Sequence, residues 1–131
     1  MHHFYLVKVK AENADDAIAE ATTALDDNNF ASDSNGFFGS SKADWYVVGG
    51  RWSGVLANVS DGEREKRDSY KQNGYPDDAQ PLTAELVKYL LHEDYRTVEV
   101  FDPEEQEELT VDDLSEQDEP GTYLVAIDYH D

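Results

Sequence analysis

The chain has 131 residues, 30 acidic side chains against 10 basic ones, a formal charge of −20 and no cysteine. That length suits one domain able to bury roughly two-thirds of its unfolded surface without metal or disulfide support. The charge repels nucleic-acid phosphates and anionic membranes, and the missing thiols exclude disulfides, cysteine nucleophiles and cysteine-ligated zinc.

No apolar run approaches the ~18 residues of a membrane span. The start, Met-His-His-Phe-Tyr-Leu-Val, has no basic flank or cleavage site and reads as a strand rather than a signal peptide, so a cytoplasmic location inside the host cell is expected.

Phe4 to Lys10 alternates as a strand. Asn13 can cap the helix that follows, with Asp15 and Asp16 in its first turn, and Ala14, Ala17, Ile18, Ala21 and Leu25 form a narrow apolar stripe. Residues 28–42 read as a polar loop tied down by Phe30, Phe37 and Phe38. Asp44 to Val48 and Trp52 to Val59 read as two strands joined across Gly49-Gly50. Glu63 to Tyr75 is charge-mixed and weakly patterned.

Thr83 caps a second helix with Leu86, Val87, Leu90 and Leu91 on its apolar face, and Leu82 can staple onto Val87. Thr97 to Phe101 reads as a strand ended by Asp102-Pro103, and Tyr123 to Tyr129 as the last strand. Between them, about 102–120, lies an acid-rich insert. The order predicts a single α+β domain over 1–131: a four- to five-stranded, mostly antiparallel sheet with two helices on one face, resembling a ferredoxin-like arrangement.

The segment Asp44-Trp45-Tyr46-Val47-Val48-Gly49-Gly50-Arg51-Trp52-Ser53-Gly54 carries the densest chemistry. It lacks the lysine and spacing of a phosphate loop. Arg51 and Ser53 could grip an anion while Trp45 or Trp52 stacks on a planar group, with Asp44 and Tyr46 alongside. Alternatively the indoles fill the core and Arg51 pairs with Asp44 across the hairpin. Together with Gly74-Tyr75-Pro76-Asp77-Asp78-Ala79 and Val125-Ala126-Ile127-Asp128-Tyr129-His130, this motif resembles a family of small uncharacterised proteins from phages, prophages and their hosts. The resemblance implies a mobile-element origin and no particular activity. Zinc-ribbon inserts of some relatives are impossible here without cysteine.

Asp128 and His130 share one face of the last strand and could orient an imidazole, although a penultimate residue is prone to fray. His92 reads as a helix cap. Asp77-Asp78 and Asp112-Asp113 could attract a cation, but neither lies in an EF-hand loop, and both read as solvated surface. No catalytic residue, metal site or cofactor is expected.

Residues 76–131 hold a net −16, with only Lys88 and Arg96 basic. The function expected from this asymmetry is non-catalytic binding to a basic protein surface, as a nucleic-acid charge mimic. The acidic surface would consist of Glu104, Glu105, Glu107, Glu108, Asp112, Asp113, Glu116, Asp118 and Glu119. Direct nucleic-acid binding is not expected. The alternative is adaptation to molar salt, as in a halophilic archaeon or its virus, where Asp outnumbers Glu and lysine is scarce. A small-ligand site at the Asp44–Gly54 hairpin is compatible with that alternative.

Overall fold

The computed structural model describes residues 1–31, 36–39 and 41–131. Its first strand, β1 (His2–Lys10), places Tyr5, Val7 and Val9 on one face and Leu6 on the other, all four essentially buried. Asn13 then starts helix α1 (Ala14–Asp27) by accepting the Asp16 N–H at 2.8 Å, as its short polar side chain suits it to do. Ala17, Ala21 and Leu25 of α1 lie fully buried against the Tyr5 face. Phe30 and Phe38 pack into the same cluster. Part of the polar 28–42 loop, residues 32–35 and 40, lies outside the described residues.

Strand β2 (Trp45–Val48) follows, then a 3-10 turn over Gly50–Trp52. Short helix α2 (Asp61–Glu65) is capped by Ser60, and a 3-10 turn at Pro76–Asp78 leads into β3 (Ala79–Pro81). Helix α3 (Ala84–His92) begins where the Thr83 hydroxyl accepts the Leu86 N–H at 3.1 Å. Leu82 and Val87 meet in one cluster, as a hydrophobic staple requires. Strands β4 (Glu99–Asp102), β5 (Glu107–Thr110) and β6 (Thr122–His130) complete the sheet.

The class is the expected one, α+β with a mostly antiparallel sheet. Among the described residues that sheet has six strands in the order β2-β6-β1-β4-β5, with β3 also on β6. β1 and β6 pair antiparallel over nine residues, from His2↔His130 to Lys10↔Thr122. The other side of β6 is shared end to end: β2 takes its half from Ile127 to His130, and β3 takes Tyr123 to Val125. Among the described residues only β1 and β4 run parallel.

Two expectations need correction. The helices do not share one face. α1 covers Tyr5, Val7, Val125 and Ile127, whereas Leu86, Val87 and Leu90 of α3 cover Leu6, Val100, Leu124 and Ala126. The central strands are therefore apolar on both sides, which is why Phe4–Val7 and Leu124–Ile127 are unbroken apolar runs. With β5 following β4 in the chain and helices on both faces, the arrangement departs from a ferredoxin-like one.

Nor do Trp52–Val59 form a strand. They wind through successive turns, with Trp52 N–H bonding Gly49 O, Val55 N–H bonding Trp52 O, and Asn58 N–H bonding Val55 O. Val55 and Leu56 are buried from within that coil, and Leu56 joins the α3-side cluster. No helix among the described residues is long and apolar enough to cross a membrane.

Candidate functional site

Gly49 and Gly50 lie against two fully buried carboxylates. Both have left-handed backbones, φ +76° and +54°. A Cβ on Gly49 would fall 2.4 Å from Asp78 Oδ2, and one on Gly50 would fall 2.4 Å from Asp128 Oδ2. Only glycine lets the main chain come this close. The close approach suggested by the paired glycines is therefore made by the protein's own aspartates.

Asp78 accepts the Gly54 N–H at 2.8 Å, the Tyr75 N–H at 2.8 Å and the Ser53 hydroxyl at 3.0 Å. Burial pushes its carboxyl up from the ordinary value, while these donors pull against the rise. Arg67 makes a paired contact to Asp77 at 2.8 and 2.6 Å and also donates to Ser53 Oγ at 2.9 Å. That fork holds the Asp77 carboxyl below its usual range. Asp77-Asp78 is thus not solvated surface, because one carboxylate is sealed in and the other is clamped. Arg64 ties down the same segment, donating to the carbonyls of Ser53 at 3.1 Å and Arg51 at 3.0 Å.

Asp128 accepts the Arg51 N–H at 2.9 Å on one oxygen and faces His2 Nδ1 at 2.7 Å on the other. Against an ionised carboxylate that nitrogen must be the donor. The imidazole partner of Asp128 is therefore His2, not His130, even though Asp128 and His130 share a sheet face. The reason is cross-strand geometry, since β1 supplies His2 beside them. His130 is held in β6 rather than frayed, with its ring stacked on Trp45 at 5.4 Å and 2°. Its Nδ1 lies 3.4 Å from Asp44 Oδ2 without forming a hydrogen bond, and its Nε2 lies 3.1 Å from the Met1 amine. His2 meets Trp45 edge-on at 5.3 Å and Tyr70 at 6.3 Å.

The five hairpin candidates do not converge on one pocket. Asp44 is 69 % exposed beside His130. Tyr46 turns to the α1 face and donates to Asp26 Oδ1 at 2.8 Å, and burial raises its phenol's pKa. Ser53 is buried under Asp78 and Arg67. Trp52 stacks on Phe4 at 5.5 Å and 8°. Arg51 is exposed and forms no ion pair with Asp44, so the cross-hairpin pairing is absent along with the hairpin. Trp45 is 38 % exposed and Tyr70 57 %. Sequence reasoning overlooked Tyr70 and His2, whose partners lie far away in the chain, and Arg67, which reaches Asp77 and Ser53 across a weakly patterned loop.

Several residues of the acidic set hold structure. Asp113 accepts the Thr110 N–H and hydroxyl, both at 3.0 Å, and Asp118 accepts the Ala84 N–H at 2.9 Å at the start of α3. Glu108 is half-buried, hydrogen-bonded by Tyr5 and faced by Lys42 at 3.6 Å. Burial raises the Glu108 carboxyl, whereas the neighbouring Glu108, with Lys42 behind it, holds that of Glu99 below its usual range. Cations from elsewhere reach three more: Lys10 to Glu104 at 3.2 Å, Lys8 to Glu119 at 3.5 Å and Arg96 to Asp112 at 3.0 Å. Glu105, Glu107 and Glu116 are exposed, with no ion pair among the described residues.

Among the described residues no three histidine or acidic side chains gather as a metal-ligand set. No family model matches the chain, and neither a curated protein nor a solved structure does.

Proposed function

We propose that this is a non-catalytic binding protein whose acidic C-terminal half docks on a basic protein surface, as a charge mimic of nucleic acid and of mobile-element origin. The observation that supports it is the exposed, unpaired set Glu105, Glu107 and Glu116, with Glu104 beside them in a solvent-open pair with Lys10. Cations borrowed from β1, Lys42 and Arg96 answer Glu119, Glu108 and Asp112, while Glu105, Glu107 and Glu116 are left over. Carboxylates on a strand edge and its turns give a field that steers a basic partner and weakens as salt screens it.

The test is a pull-down of a panel of basic nucleic-acid-binding proteins across about 0.05 to 0.5 M salt, a range over which the Debye length shrinks severalfold. Salt-sensitive capture that is lost when Glu104, Glu105, Glu107 and Glu116 are all changed to Gln supports the reading. Capture that ignores either salt or these substitutions refutes it.

A further inference from the structure

Trp45 is a large apolar side chain left 38 % exposed, yet it is held in place from several sides. His130 stacks under it, and His2 meets it edge-on while bound to buried Asp128 at 2.7 Å. Tyr70 stands 6.3 Å away with its own ring open to solvent. Exposed, rigid aromatics of this kind are the usual anchors of protein interfaces, because little side-chain freedom is lost on binding.

A cavity of about 400 Å³ opens beside Trp45, and its walls include Asp26, Asp44, Tyr46, Gln72 and Asn73. Among the described residues no lysine or arginine lines it. Asp44 projects into solvent, and its nearest cationic candidate, His130 Nδ1, is misaligned for a hydrogen bond. One indole, the Tyr46 phenol, two carboxylates and two amide side chains line it, with Tyr70 standing beside Trp45, and they suit a cationic group carrying several N–H donors.

We propose that this aromatic-acidic corner is the anchor point for an arginine side chain of the basic protein partner. The proposal rests on the partner-binding reading above and adds a second contact. The guanidinium would lie over the open indole and donate to Asp44, while the C-terminal carboxylates supply long-range attraction.

The probe is a synthetic peptide of alternating arginine and glycine, titrated at low salt into the full chain carrying Trp52→Phe, so that Trp45 alone reports by fluorescence. The expected result is a saturable change in Trp45 emission, with binding roughly tenfold weaker in Asp44→Asn and, read by titration calorimetry, in Trp45→Ala. Asp44 is 69 % exposed, so its neutral variant leaves the fold intact and keeps the test valid if Trp45→Ala fails to fold. Binding without a Trp45 signal, or equal affinity in Asp44→Asn, overturns the anchor. Loss in the four-glutamate variant alone would preserve the partner-binding reading and remove the anchor. Loss in the Asp44 and Trp45 variants alone would do the reverse, and no peptide binding at all would sink both.

Discussion

Gly50→Ala is the sharpest probe of how the chain is held around its buried acids. The new Cβ would sit 2.4 Å from Asp128 Oδ2 and 2.5 Å from its Cβ, on a backbone with φ +54°. An alanine in the left-handed region costs about 1 kcal/mol. Pushing the carboxylate away also strains its bonds to the Arg51 N–H and to His2 inside a fully buried site, at roughly 1 to 3 kcal/mol for what is left unsatisfied. The total is about 3 kcal/mol, a large share of the ~5 to 15 kcal/mol that stabilises an ordinary domain.

Gly121 is the control: its φ is +81° and nothing lies within 4 Å of the added carbon. Gly121→Ala should therefore lose only the backbone cost of about 1 kcal/mol. Urea unfolding followed by circular dichroism would read a midpoint roughly 1 to 2 M lower for Gly50→Ala, with a much smaller fall for Gly121→Ala. Equal losses in the two variants would mean that the contact with Asp128 does not constrain residue 50.

The same method should show Asp78→Asn destabilised by roughly 2 to 4 kcal/mol, since an amide nitrogen cannot accept from the Gly54 N–H, the Tyr75 N–H and Ser53 together; a loss under about 1 kcal/mol would contradict the sealed-carboxylate account. Asp77, whose carboxyl is held low by Arg67, adds stability above the ordinary carboxylate range and loses it as pH falls through its lowered value. Arg67→Met should therefore cost stability at pH 7 and much less at pH 2, and a deficit independent of pH would count against it. Glu108, pushed up, favours the fold below the ordinary glutamate range and stops doing so as pH rises through its raised value, while Glu99 works in the opposite sense. Lys42 faces both carboxylates, so Lys42→Met should lower the melting temperature more at pH 7 than at pH 4, and the reverse order would refute its role in restraining their charge. Asp113→Ala releases the Thr110 N–H on the outer side of β5. Light scattering should then detect self-association at about 1 M salt, where repulsion is screened, and a monomer under those conditions would show that Asp113 does not protect the edge.

Local signals in the chain carried the elements whose determinants are themselves local. Asn13 and Thr83 start their helices through side-chain oxygens that need only the next three residues, and β1 and β6 carry the apolar runs Phe4–Val7 and Leu124–Ile127. The 52–59 segment misled because Trp52, Val55, Leu56 and Val59 have the composition of a strand. Gly54, at φ +86°, and Asn58, at φ +53°, keep it coiled, and a Cβ at Gly54 would fall 2.9 Å from the side chain of Val59. Helix sides were illegible for a different reason. Both stripes were correct, but an apolar strand covered on two faces does not say which helix takes which. The corner around Trp45 depends on register between distant strands, His2↔His130 and Trp45↔His130, and no spacing along the chain encodes it.

Consider finally the pairing of β1 with β6. Their outer ends meet: the Asp131 N–H bonds Met1 O at 3.1 Å, and the Met1 amine bonds Asp131 O at 3.2 Å. A force pulling residues 1 and 131 apart therefore acts across the strands, loading the rungs of the ladder one after another rather than all at once. The two central strands would unzip from that end, each rung failing in turn, and α1 and α3 would lose their support early. Force applied between residues 1 and 131 would meet low mechanical resistance, whatever the equilibrium stability of the fold.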